Sequence, residues 1–465
     1  MALDLLLRQG RRADEEALVD IAIAGGRIVE IAERIAADAP EECLDGRLVI
    51  AGFVESHIHL DKSRILDRCH CEQGTLEEAI ASVATAKRSF TEADIYARAQ
   101  RTLEKAIIQG TTRMRTHVEI DPRVGLKGFH AVHRLKRDYE WAIDLQICAF
   151  PQEGLTNDPG AEELLVQACE QGADVIGGCP YTDTDPPTQI ARIFEIARRF
   201  DLDIDFHLDF DIDPSWMHLD EVCRQTDAQG WGGRVAVGHV TKLSAIDHCR
   251  LAEIGRRLAD AGVAVTVLPA TDLFLMGRDR HLHVPRGVAP AHRLLGDGVT
   301  CSLATNNVLN PFTPFGDCSL IRMANLYANV AQIGRARDLK ACFDMITTLP
   351  ARLMNAAHYG VAVGHPADLV VLDSRDPALA VAEVAQPLFG LKRGRRSFTR
   401  AAATIHRREQ ARSRLAQTIS AARIQCAAGA FTQPTHISNR LKYMDLSRPT
   451  RVARNLKWLA PRRHR

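Results

Sequence analysis

The feature that most restricts how this 465-residue chain can fold is an alternation of short apolar runs with amphipathic stretches, repeated eight times. Strand-like runs are read at 48–54, 113–118, 142–150, 173–178, 203–208, 234–239, 263–268 and 299–304. Helical patterns, with apolar residues three and four apart, lie between most of them, for example at 161–170, 188–200 and 248–262. Eight strand–helix repeats predict an α/β fold, a closed parallel (β/α)8 TIM barrel spanning 51–355. An open doubly wound sheet is the competing architecture, but no Gly-rich phosphate loop supports it.

The flanks read differently. Strand-like segments 17–23 and 27–31 bracket Gly25-Gly26, a hairpin signature, and 367–373 is a further strand at the far end. Residues 1–50 and 356–400 are therefore expected to build one small β-sandwich domain together. Residues 401–465 carry 14 Lys/Arg against 2 Asp/Glu, leaving 45 basic and 56 acidic residues in 1–400. The body is acidic and the tail basic. The tail has no clean amphipathic period and is expected to be disordered or partly helical, outside the core enzyme.

An acidic body argues against a nucleic-acid-binding surface. No stretch approaches the roughly 18 apolar residues that span a bilayer, and the N-terminal apolar run is too short for a secretory signal. The twelve cysteines are scattered. Cys69 and Cys71 flank His70, but without a second half-site the triplet is a poor zinc candidate. These features predict a cytoplasmic protein with reduced thiols.

The chemistry begins at Ser56-His57-Ile58-His59-Leu60-Asp61-Lys62. Residues two apart on a strand share a face, so His57 and His59 project together from the end of the first barrel strand. Active sites of this fold sit at that rim, and two imidazoles there are half of a metal site. His207 and His239 each terminate a later apolar strand, the fifth and the sixth. In a closed barrel the four imidazoles converge. His117, on the second strand, is read as structural or supporting.

With these segments in view the chain resembles the cytosine deaminase group of the amidohydrolase superfamily. The likeness covers about residues 15–400 and rests on GFVESHIHLDK, GTTRMRTHVEID, FPQEGL, GADVIGG, the strand ending at His207, GRVAVGH, NPFTPFGD and YGVAVGHPADLVVL. The resemblance implies one divalent metal ion, Fe2+ or Zn2+, held by His57, His59, His207 and a strand-eight residue, with His239 contacting the ion or its water. It implies that Gln152 binds a small-molecule N-heterocyclic substrate through the donor and acceptor of its amide, and that the protein is a homo-oligomer. The activity implied is hydrolysis of a C–N bond in a cyclic amidine or amide. A bound divalent ion lowers the pKa of water from about 15.7 toward ~7, and a nearby group must carry the proton.

Two positions depart from the family pattern. Asn306 stands where the family has the strand-eight aspartate, and Phe210 where it has a glutamate three residues after the strand-five histidine. An amide oxygen can ligate a metal but is no base at neutral pH, and a phenyl ring carries no proton. Asp209 shares the face of His207 if the strand continues, and is the expected substitute carboxylate. Asp61 and Asp272 are weaker candidates. Lys62 is read as a rim salt-bridge partner or an orienter of a substrate carbonyl. Phe312, with Phe274, Phe315 and Trp216, is placed in loops that line a pocket for a flat ring. Three readings follow: deamination of a pyrimidine or related ring; hydrolysis of another amine-bearing or cyclic-amide substrate using Asp209; or a metal- and ligand-binding homologue without turnover.

Overall fold

The computed structural model describes residues 2–69 and 71–406. The expectations for His70 and for the tail beyond residue 406 lie outside the described residues.

The N-terminal fifty residues form five strands, β1 (Leu5–Arg12), β2 (Leu18–Ala24), β3 (Arg27–Ala32), β4 (Glu41–Cys43) and β5 (Leu48–Ile50). Eight barrel strands follow: β6 (Phe53–Ile58), β7 (Thr111–Glu119), β8 (Asp144–Phe150), β9 (Val175–Ile176), β10 (Asp203–Leu208), β11 (Val235–His239), β12 (Val263–Val267) and β13 (Cys301–Leu303). Three more close the described chain: β14 (Leu369–Leu372), β15 (Pro387–Lys392) and β16 (Arg395–Thr399).

Strands β6 to β13 pair in sequence order, every neighbour parallel. The ring shuts between its ends through Asn306, just past β13. Its N–H donates to the His57 carbonyl at 2.9 Å, and its carbonyl accepts from His59 N–H at 2.8 Å. The seam is reinforced inside by Glu55, whose carboxylate accepts from Thr305 N–H at 3.0 Å, and by Ser302 Oγ, 2.9 Å from both Ser56 Oγ and Thr266 Oγ1. β6, β11 and β12 are buried along their whole lengths, as strands covered on both faces must be. At the end where strands begin, Val54, Ala236 and Ala264 pack with Ala351, Leu353 and Met354 into a plug. The other end is left to the histidines.

The helices form where the spacing predicts them. Ala161–Glu170, Pro186–Phe200 and His248–Ala261 each bury one apolar stripe. The second begins two residues earlier than its apolar period, because Pro186 and Pro187 occupy the first turn and Asp185 accepts from Thr188 N–H at 3.2 Å.

Both flanks enter one mixed eight-stranded sheet, ordered β16-β15-β14-β5-β1-β2-β3, with β4 on β1. The join between the two ends of the chain is the antiparallel pair β5–β14, with Val49 opposite Val371. The sheet curls over a core of Leu7, Ile21, Ile23, Val49, Leu369 and Val371 until Ile28 N–H on β3 reaches the His365 carbonyl at 2.9 Å.

One expected strand divides. The apolar run 48–54 is two strands: Leu48–Ile50 joins the flanking sheet, and Phe53 starts the barrel. Gly52 makes the break at φ 80°, where a Cβ would lie 2.3 Å from the Thr112 side chain. Only glycine allows that backbone to approach β7 so closely.

Candidate active site

His57, His59 and His207 meet at the barrel mouth. His57 Nε2 and His59 Nε2 each lie 3.1 Å from His207 Nε2, and all three rings are at most 2% exposed. The remaining nitrogens, Nδ1 of each ring, are buried without hydrogen-bond partners. Burial first, and then the neighbouring positive groups, hold all three well below the ordinary histidine value, so the rings are neutral. Three neutral imidazoles turned toward one point present lone pairs that a cation can accept. Nitrogens in this arrangement fit a divalent ion.

Asn306 lies across the seam, its backbone paired with His57 and His59. Its backbone is left-handed at φ 62°, a conformation asparagine tolerates, and its side-chain Oδ1 is buried and unpartnered. His117 stacks on His57 at 3.7 Å between ring centroids, with Nε2 3.5 Å from Asp205 Oδ1. Phe150 stacks on His207 at 4.5 Å.

His239 lies beside this trio but outside it. Its ring centroid is 5.7 Å from that of His207, and Nδ1 donates to Asp272 Oδ1 at 2.7 Å. Phe210 stacks on the His239 ring at 3.7 Å. Asp272 therefore sets the tautomer, leaving Nε2 free as an acceptor.

Asp209 is not where strand alternation puts it. The strand stops at Leu208 and Asp209 turns to φ 48°, so the period of two that would align it with His207 no longer applies. Its Oδ1 accepts from His218 N–H at 3.0 Å, ahead of helix Leu219–Gln229, while Oδ2 is buried and unpartnered. Burial pushes this carboxyl up to about 6.

Lys62 makes a salt bridge, with Glu119, but a buried one. It is 2% exposed, and Nζ donates to Glu119 Oε1 at 2.6 Å and to Gln152 Oε1 at 3.1 Å. Gln152 donates through Nε2 to Cys179 Sγ at 3.3 Å. The Lys62 ammonium lies 4.4 Å from the centroid of the buried Phe312 ring. Phe274 and Phe315 pair edge to face at 5.7 Å, and Trp216, half exposed, covers Lys242. Asp61 accepts Glu119 N–H at 2.9 Å and supports that strand rather than the metal trio.

Glu119, Phe150 and Asp205 escaped the reading of the sequence. Glu119 had a signal, since it stands two residues past His117 on β7 and so shares its face.

The sequence model of the amidohydrolase family matches residues 130–398, more than half of the chain. The chain belongs to the amidohydrolase family. This amidohydrolase is 28% identical over 408 residues to N-isopropylammelide isopropyl amidohydrolase of Pseudomonas sp. strain ADP, covering 84% of this chain and 96% of that one. It is 29% identical over 367 residues to pterin deaminase of Rhizobium rhizogenes, covering 77% and 82%. Among solved structures it resembles 5-methylcytosine deaminase of Klebsiella pneumoniae liganded with 5-fluorocytosine, with TM-score 0.83, 29% identity, and coverage of 86% and 99%. Among the described residues of the amidohydrolase, no helix is long and apolar enough to cross a membrane, and the eleven cysteines there are free thiols.

Proposed function

We propose that this amidohydrolase hydrolyses a C–N bond of a small N-heterocycle, using one divalent ion, Fe2+ or Zn2+, held by His57, His59, His207 and the Asn306 amide oxygen. The observation that carries the reading is the pair of 3.1 Å contacts among three buried Nε2 atoms. When bound, such an ion supplies a Lewis acid that makes water nucleophilic near neutral pH.

The chain's own groups do the rest. His239, oriented by Asp272, accepts a proton at Nε2 from the attacking water and returns it to the leaving nitrogen. This role replaces what Asn306 and Phe210 cannot do. Asp209 is the second proton carrier, through its unpartnered Oδ2. Gln152 and Lys62 hold the polar edge of the ring, and Phe312 packs its flat face. The named relatives act on an ammelide, a pterin and a methylcytosine, all oxygen-bearing N-heterocycles. A ring oxygen suits the Lys62 ammonium and the Gln152 N–H, both donors.

The test is a panel of pyrimidines, triazines, pterins and cyclic imides assayed with metal-loaded protein, read by release of ammonia or an alkylamine for the first three and by ring opening for the imides. Turnover of one class is expected. Full metal occupancy with no turnover of any would leave a metal- and ligand-binding homologue instead.

A further inference from the structure

Lys87 touches none of the groups assigned to the reaction, yet it is 1% exposed. It follows helix Leu76–Ala86 and points inward. Its Nζ donates to Glu119 Oε2 at 2.9 Å, Asp121 Oδ2 at 2.6 Å and Glu153 Oε2 at 2.7 Å. An ammonium has three N–H donors, so all are committed. Glu119, Asp121 and Glu153 are spaced as a cation site would be, and the Lys87 ammonium is the cation at its centre. Burial disfavours the charge, but Glu119, Glu153 and Asp121 outweigh it and hold the ammonium firmly protonated.

The other end of this cluster is the pocket. Glu119 divides its carboxylate between two ammonium ions, Oε2 to Lys87 and Oε1 to Lys62 at 2.6 Å. Lys62 passes the chain on to Gln152 Oε1 at 3.1 Å. Two of the Lys62 donors are thereby used, and the third has no hydrogen-bond acceptor among the described residues. Lys62 has a long flexible stem, and a free ammonium would sample many rotamers. A carboxylate clamped on its far side fixes where the ammonium stands.

We propose that Lys87 is a positioning residue for the substrate pocket: by clamping Glu119 it holds the Lys62 ammonium against Gln152, with one N–H left for a ring oxygen. The inference rests on the reading that Lys62 and Gln152 bind substrate. It differs from a purely structural role because it predicts that Lys87 acts through Lys62.

The experiment is a double-mutant cycle on the metal-loaded full chain, joined to crystal structures of the same variants. Lys87→Met should lower kcat/KM by about 10- to 100-fold, mainly through KM, with metal content unchanged. In the Lys62→Met background the same change should cost less than about 3-fold, and Lys87→Arg should recover part of the loss. Equal losses in both backgrounds would overturn the proposal. In the crystal of Lys87→Met the Lys62–Gln152 contact should be lost, and its persistence would also overturn the proposal. That arm needs no substrate, so a wild-type protein without turnover would refute the proposed function while leaving Lys87 to be decided by the structure. Should Lys87→Met fail to fold, Lys87→Gln serves both arms: its shorter, neutral amide cannot hold the three carboxylates, so the Lys62–Gln152 contact should be lost there too.

Discussion

His239 donates its Nδ1–H to Asp272 Oδ1 at 2.7 Å, and both side chains are buried at the barrel mouth. In the proposed reaction this pair is the proton carrier, in a site where Asn306 and Phe210 stand at the positions that are acidic in the cytosine deaminase pattern. Asp272→Asn keeps the shape but favours the other imidazole tautomer. It should lower kcat by about 10²- to 10⁴-fold while metal content stays at the wild-type level. Asp209→Asn under the same assay separates the two carboxylates, and a smaller loss is expected there.

Removing one of the three converging imidazoles should remove the ion. His207→Ala is expected to abolish metal retention after dialysis, measured by elemental analysis. The metal-dependent rise in Tm expected of the wild-type chain should be absent from the variant, because an ion that binds only the folded state stabilises it.

Asn306→Asp tests the proposed fourth ligand, an oxygen. Asparagine and aspartate both tolerate the φ of 62° found there. A carboxylate adds a full charge beside the ion, worth about tenfold or more in affinity. Slower loss of metal to a chelator is the expected result, and an unchanged rate would remove Asn306 from the ligand set.

Much of this was readable in the chain. The strands that carry His207 and His239 stand out because a parallel barrel buries both faces, so each reads as a mostly apolar segment with a histidine at or next to its last residue. The division of 48–54 did not show, because Ile50, Ala51, Gly52 and Phe53 are apolar or neutral throughout and periodicity cannot register a left-handed glycine. Asp209 was misplaced for a related reason: alternation assumes an extended backbone, and the chain turns at φ 48°. The burial of Lys62 is not legible because its partners, Glu119 at the end of β7 and Gln152 just past β8, are distant in sequence, and spacing holds no record of such long-range pairing.

Glu153 carries a pH signature. Burial first, and then Glu119, push its carboxyl from 4.5 up to about 7 against the pull of Lys87. The folded state thus keeps a proton that the unfolded chain releases near 4.5. Stability should fall as pH rises between about 4.5 and 7, by at most roughly 3 kcal/mol, with no slope from this group outside that window. Glu153→Gln should flatten that slope in urea unfolding followed across the range.

Gly52→Ala should cost about 2 kcal/mol or more in unfolding free energy. Its φ of 80° strains any side chain and its Cβ would collide with Thr112.

One divalent ion is proposed to sit among His57, His59 and His207. A crystal of metal-loaded protein, with data collected on both sides of the metal's absorption edge, locates it directly. One anomalous peak per chain is expected, within about 2.0–2.1 Å of the three Nε2 atoms. A peak elsewhere, or none with the rings ordered as described, would refute this site.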